Sequence, residues 1–209
     1  MKRNYQNQYP SVTQVLGILR KIGLEMWFKN NTASFCNKES SLGKQIGTEI
    51  HNAIEQYILE GKADIESEYP EEVTNALNSF ILFRKNNPYI ELTMSEVALT
   101  STLYGYNGTI DAPNPPILLD WKSGKCKDKD TPPMYDEHKY QCAAYVYLWN
   151  ENNPGQLINQ AHIVIFAKDK VAYTIYTMNL KEIEACFCNV FLSALQICNY
   201  QRNNKTKGN

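Results

Sequence analysis

Two apolar stretches that each run into a carboxylate, Gly108-Thr109-Ile110-Asp111 and Leu118-Leu119-Asp120-Trp121-Lys122, are separated only by the turn-rich segment Ala112 to Pro116. No other part of the chain limits the fold as much. Side chains alternate faces along a strand, so Asp120 and Lys122 emerge together and Trp121 points away from them. A hairpin bent between Ala112 and Pro116 lets Asp111 approach Asp120 diagonally, within reach of one shared cation. Carboxylates that converge at the ends of apolar strands are costly unless something positive joins them. Lys122 neutralises one charge, and a hard divalent ion with oxygen ligands meets the remaining need. In phosphodiester hydrolysis such an ion activates water and stabilises charge on the phosphorus oxygens, with Lys122 orienting the water or the phosphate. Taken alone, the three residues also fit a surface hairpin closed by a salt bridge. The remainder of the chain has to decide.

Helical periodicity dominates the N-terminal half. Ser11 and Thr13 precede Val15, Leu16, Leu19 and Ile22, a pattern that predicts a capped helix ending near Gly23, with a short helical piece around Trp27. From Leu42 to Leu59, Ile46, Ile50, Ile54 and Ile58 recur every fourth position, one stripe of an amphipathic helix that Gly61 can terminate. Gly47, His51 and Glu55 form a second stripe beside it. A glycine inside a helix costs about 1 kcal/mol relative to alanine, which predicts that another backbone or a ligand comes close to Gly47. His51 follows one turn later; by itself it reads equally as a partly buried ring satisfied by a neighbour. A further helix is expected from Pro70 to about Lys85.

Strand character follows over Ile90 to Thr100, Leu103 to Asp111 and Ile117 to Lys122, which suggests an antiparallel meander. Tyr135 to Trp149 returns to helix, placing Gln141 and Tyr145 one turn apart; alone, they are a polar edge and an aromatic core residue. Ala161 to Ala167 and Val171 to Met178 read as a strand pair about a turn at 168–170. A last helix begins at Asn179, spaced from Glu182 as in a capping box, and continues to about Asn199.

Composition sets outer bounds. At 209 residues the chain fits one domain, with a helical segment over 1–41 and a polar tail over 202–209. No apolar run approaches the roughly 20 residues that span a bilayer, and the polar start of the chain carries no readable secretory signal, so a membrane role is excluded and a cytoplasmic setting expected. A net charge of -1 is low for a partner of nucleic acid. Lys125, Lys127 and Lys129 lie densely between Lys122 and Lys139, but Asp128 and Asp130 alternate with them. That stretch reads equally as a basic patch or a solvated loop.

The order Gly47-x-x-x-His51, Glu96, Gly108-x-Ile110-Asp111, Asp120-x-Lys122 and Gln141-x-x-x-Tyr145 resembles the RecB-like branch of the PD-(D/E)XK nucleases. The resemblance spans most of the chain. Tyr9-Pro10-Ser11-Val12-Thr13 before the Gly-His helix, with the Asp-Trp-Lys wording, is most similar to the mitochondrial genome maintenance exonuclease group and its bacterial and phage relatives. It implies an α/β, restriction-endonuclease-like core, a central mixed five-stranded sheet flanked by helices. It implies a DNA exonuclease that uses Mg2+ or Mn2+ and prefers single strands or ends, in a bacterial or phage context. Asp111 and Asp120 would be metal ligands, with His51 and the Trp121 carbonyl added, and Lys122 the catalytic lysine. Gln141 and Tyr145 would hold the phosphate or brace the site, and Glu96 would lie at its edge. Ser11, Thr13 and Lys125 are candidates to touch the DNA, although helix capping also accounts for the two hydroxyls. An endonuclease of the same fold and a non-catalytic DNA-binding module remain alternatives.

Some relatives of this branch hold an iron-sulfur cluster with one cysteine before the Gly-His helix and three near the C-terminus, a distribution that Cys36, Cys186, Cys188 and Cys198 imitate. Cys186 and Cys188 lie two apart in a segment that reads as continuous helix, hence on nearly opposite sides, and this speaks against a cluster. Free thiols filling the core are expected instead.

Overall fold

A computed structural model describes residues 8–61, 69–126 and 129–205. The beginning of the N-terminal segment, Lys127 and Asp128 of the lysine-rich stretch, and the end of the tail lie outside the described residues.

Helix α1 (Val12–Leu16) is shorter than the helix expected up to Gly23, and α2 (Ile22–Asn30) contains the helical piece expected around Trp27. The first ends early: Gly17 caps it, after Ser11 has closed its start in a complete capping box with Gln14. Helix α3 (Ala33–Glu60) is longer than its isoleucine stripe, because Thr32 caps it well upstream, and Gly61 ends it in the left-handed conformation at φ 72°. Helix α4 (Glu71–Asn86) follows Pro70 as expected.

The β region departs from a three-strand meander. Strands β1 (Val97–Ser101) and β2 (Tyr106–Ile110) form a separate antiparallel ribbon, and residues 90–96 are irregular. After Asp111 the chain enters a second sheet as β3 (Ala112–Asn114), which turns at Pro115 and Pro116 into β4 (Ile117–Gly124). The segment 112–116 expected to be a turn is therefore mostly strand. Helix α5 (Asp136–Asn152) crosses over to β5 (Gln160–Ala167), parallel to β4, and β6 (Tyr173–Met178) returns antiparallel. The main sheet is mixed, in the order β3-β4-β5-β6: four strands, not five, because the break at Asp111 parts the chain between two sheets.

The last helical stretch is α6 (Leu180–Cys186), a π-helical turn (Phe187–Phe191) and α7 (Leu192–Lys205). The wide turn brings Phe187 and Phe191 into a stack at 5.6 Å, and Phe187 lies flat on Tyr147 at 3.7 Å. The expected unbroken helix is thus corrected; Cys186 is half-buried, Cys188 exposed, and Cys36 and Cys198 are buried free thiols.

Each face of the sheet has its own core. Leu118, Ile163 and Ile165 pack with α1, α5, α6 and α7, while Leu119, Trp121, Val164 and Phe166 pack with α3 and α4. Period-two alternation along β4 and β5 accounts for the division. Among the described residues no helix is long and apolar enough to cross a membrane.

Candidate active site

Asp111 stands where the chain leaves β2 for β3. The register that pairs Ala112 with Leu119 sets Asp111 opposite Asp120. Asp111 Oδ2 accepts the Trp121 N–H at 2.8 Å, while Lys122 Nζ donates to the Trp121 carbonyl at 3.2 Å. Both main-chain groups of Trp121 are therefore engaged by side chains of the site. The Lys122 ammonium also pairs with Asp120 Oδ2.

Two more side chains reach Asp111 from elsewhere. His51, on α3, places Nδ1 3.3 Å from Glu96 Oε1 and 3.6 Å from Asp111 Oδ1. These three residues offer donor atoms that lie within 4.8 Å of one another. Glu96, expected at the edge, is one of them. Its backbone has φ 52°, a left-handed conformation that costs a residue with a Cβ roughly 1–2 kcal/mol. A hydrogen bond from its N–H to the Asp111 carbonyl, 2.9 Å long, holds it there. Strain of this kind persists only where surrounding structure enforces it, and it gathers at functional sites.

The residues present fit a hard divalent cation. Asp120 is fully buried and its Oδ1 has no hydrogen-bond partner. Close by, one imidazole nitrogen and two carboxylates converge without a thiolate among them. Burial and charge compete at each of these groups. Burial pushes the Asp111 carboxyl up to about 6; His51 and Lys122 oppose that rise and Asp120 adds to it. Burial works against a charged His51 ring, yet Asp111 and Glu96 outweigh it and hold the pKa above its ordinary value. Lys122 is likewise disfavoured by burial, but Asp120 and Asp111 raise it, so the ammonium stays charged.

Helix α5 closes the site from the other side. Gln141 Nε2 donates to the Tyr145 hydroxyl at 2.9 Å. Burial, then Asp111 and Asp120, push that phenol well above its ordinary pKa. The Tyr145 ring fits because β2 has a glycine beneath it: a Cβ on Gly108 would come within 2.8 Å of both Tyr145 and Leu148. Gly47 behaves otherwise. A Cβ there would meet nothing within 4 Å, so the close backbone expected at that glycine is not found.

The remaining candidates stand apart. The Ser11 and Thr13 hydroxyls lie 3.0 Å from each other, and Ser11 also accepts the Gln14 N–H of the α1 cap. Asn107 of β2 ties this segment down by donating to the Pro10 carbonyl. Lys125 is exposed just past β4 and lies 3.9 Å from Glu72. His138, in the first turn of α5, belongs to none of the sequence motifs, although its spacing of three and seven from Gln141 and Tyr145 puts it on their side of the helix. Lys122 and Asp120 both act on its ring electrostatically.

No protein-family model matches the chain, and no curated protein does. Among solved structures, a candidate exonuclease from Eubacterium rectale is similar over 98% of this chain and 84% of its own, with a TM-score of 0.53 at 15% identity. A phage-related exonuclease from Haemophilus somnus 129PT is similar over 75% of this chain and 82% of its own, with a TM-score of 0.39 at 14% identity, too loose a likeness to build on. At such identity a likeness speaks for the backbone alone: the chain shares the fold of the Eubacterium rectale protein, and its mixed sheet, covered by helices on both faces, has a restriction-endonuclease-like architecture.

Proposed function

We propose that the protein hydrolyses DNA phosphodiester bonds with Mg2+ or Mn2+, as an exonuclease acting on single strands or DNA ends. The observation that carries this reading is the convergence of His51, Glu96 and Asp111 beside the buried Asp120–Lys122 pair. His51, Glu96, Asp111 and Asp120 would hold the ion. When bound, the ion supplies Lewis-acid chemistry: it makes water more acidic and stabilises charge developing on phosphate oxygens.

The protein's own groups do the positioning. Lys122, kept charged by the two aspartates, presents a donor at the level of the Asp120 carboxylate, where it can hold a phosphate oxygen or the attacking water. Tyr145 receives the Gln141 amide proton and so keeps its own O–H available for a phosphate oxygen. Its raised pKa keeps that proton in place at neutral pH. The name of the Eubacterium rectale protein is in keeping with exonuclease action.

The test is incubation of the purified protein with end-labelled linear single-stranded DNA, duplex DNA and a circular single strand, with and without Mg2+ or Mn2+. Linear strands should be degraded only with the metal, and the circle should survive. A cut circle would make the protein an endonuclease. Binding without cleavage would make it a DNA-binding module.

A further inference from the structure

His138 occupies the same side of α5 as Gln141 and Tyr145, and the proposed chemistry leaves it without a task. Its ring is held in place from outside, edge-on against Tyr135 with centroids 5.6 Å apart. Its main-chain N–H donates to the Tyr135 carbonyl at 3.0 Å, which fixes the start of the helix. Nδ1 is buried and has no hydrogen-bond partner. Enclosed as it is, Nδ1 is out of reach of any ligand, so the nitrogen left to meet a partner from outside the fold is Nε2, at the other edge of the ring.

Two of the charges that act on the ring, Lys122 and Asp120, belong to the site. Burial comes first, then the Lys122 ammonium, and together they push the imidazole down to about 4, against the pull of Asp120 and Glu137. At neutral pH the ring is thus uncharged, with one N–H to give. A charged donor so near Lys122 would be repelled. An uncharged one adds a hydrogen bond toward an anionic oxygen without that repulsion.

We propose that His138 is a substrate-binding residue whose imidazole donates a hydrogen bond to a non-bridging phosphate oxygen of the DNA strand beside the cleaved bond. The assignment rests on the nuclease reading above. It extends the phosphate-facing side of α5 by one turn, so that His138, Gln141 and Tyr145 run along the strand together.

His138→Phe keeps a ring against Tyr135 and removes both nitrogens, whereas His138→Gln returns a donor. On a linear single-stranded oligonucleotide with Mn2+, the Phe variant should lose about 10- to 100-fold in kcat/KM, the worth of a hydrogen bond to a charged group, and the Gln variant should recover most of it. A scan of single methylphosphonate substitutions then locates the contact. The wild type should be slowed at one phosphate where the Phe variant suffers no additional loss, and the two should suffer alike elsewhere. A Phe variant as active as wild type would overturn the assignment, and so would methylphosphonate penalties that are the same in both proteins at every position. If the Phe variant does not fold, His138→Asn carries the same scan, with a missing penalty at one phosphate supporting the contact and identical penalties throughout overturning it. Wild-type protein without metal-dependent cleavage would remove the nuclease reading itself, a failure visible before any substitution is made.

Discussion

Neighbouring residues on the two faces of β4 meet opposite demands. Trp121 lies among Phe80, Phe83 and Phe166, with ring centroids 5.8 to 5.9 Å away, in a core that α3 and α4 close. Asp120 and Lys122, one position to either side, form a buried ion pair on the face toward α5, and one Asp120 oxygen remains unpaired. The buried indole N–H of Trp121, also without a hydrogen-bond partner, interrupts the apolar character of the first face. The difference teaches that a strand can separate stability from chemistry by alternation alone, and that a slip of one residue would exchange the two. Substitutions on the two faces should therefore fail in different ways.

The largest effect is expected at Asp120→Asn, which keeps the shape of the side chain and removes its charge. Cleavage should fall on the order of 1000-fold, by comparison with the loss of one preorganised electrostatic group, while circular dichroism still reports the native fold. Unchanged turnover would mean that this face is not where the chemistry lies. Lys122→Ala should also stop cleavage, but it strands a buried carboxylate, so loss of stability will accompany it. On the other face Trp121→Ala should cost about 3–5 kcal/mol of stability, read from denaturant unfolding, with cleavage per folded molecule retained. A variant that kept its stability and lost cleavage would reverse the assignment of the faces.

A divalent ion should strengthen the polar face and leave the apolar one alone. Asp111 has a folded pKa of about 6, above its ordinary 3.8, chiefly because it is buried. Such a carboxyl contributes stability that is fully present below the ordinary value and lost as pH rises through about 6. Above that pH the ion-free site weakens the fold, and an ion binding only the folded state offsets this, by about 2.7 kcal/mol at one hundred times its Kd. Mn2+ should therefore raise the melting temperature more near pH 7.5 than near pH 5, where protons compete for the carboxylates. Asp111→Asn should abolish the difference. An equal shift at both pH values in the wild type would place the ion elsewhere.

Features set by local periodicity were legible in the sequence; features set by long-range contact were not. The isoleucine stripe of α3, the alternation in β4 and the β5–β6 pair follow from neighbours in the chain, and so does Gly61 at the end of α3. Asp111, Asp120 and Lys122 were visible together because one short turn joins their strands. Glu96 could be read only as an edge residue, since its approach to His51 depends on a left-handed backbone held by its hydrogen bond to Asp111. The division of the strands into four and two depends on the chain breaking at Asp111, which no local pattern announces. The π turn answers the packing of Phe187 on Tyr147, a tertiary contact.

The smallest effect sharpens the comparison at the edge of the polar face. Gly47 lies in the interior of α3, one turn before His51, and a Cβ there would meet nothing within 4 Å. Gly47→Ala should accordingly stabilise the helix by about 1 kcal/mol and raise the melting temperature by about 2–4 °C. No protein backbone lies near enough to require a glycine; on the nuclease reading proposed above, a DNA strand passing over α3 on its way to His51 would. The stabilised variant should then show a raised KM. If it melts higher and its kinetics are unchanged, the polar face begins at His51, and the glycine before it belongs to the scaffold.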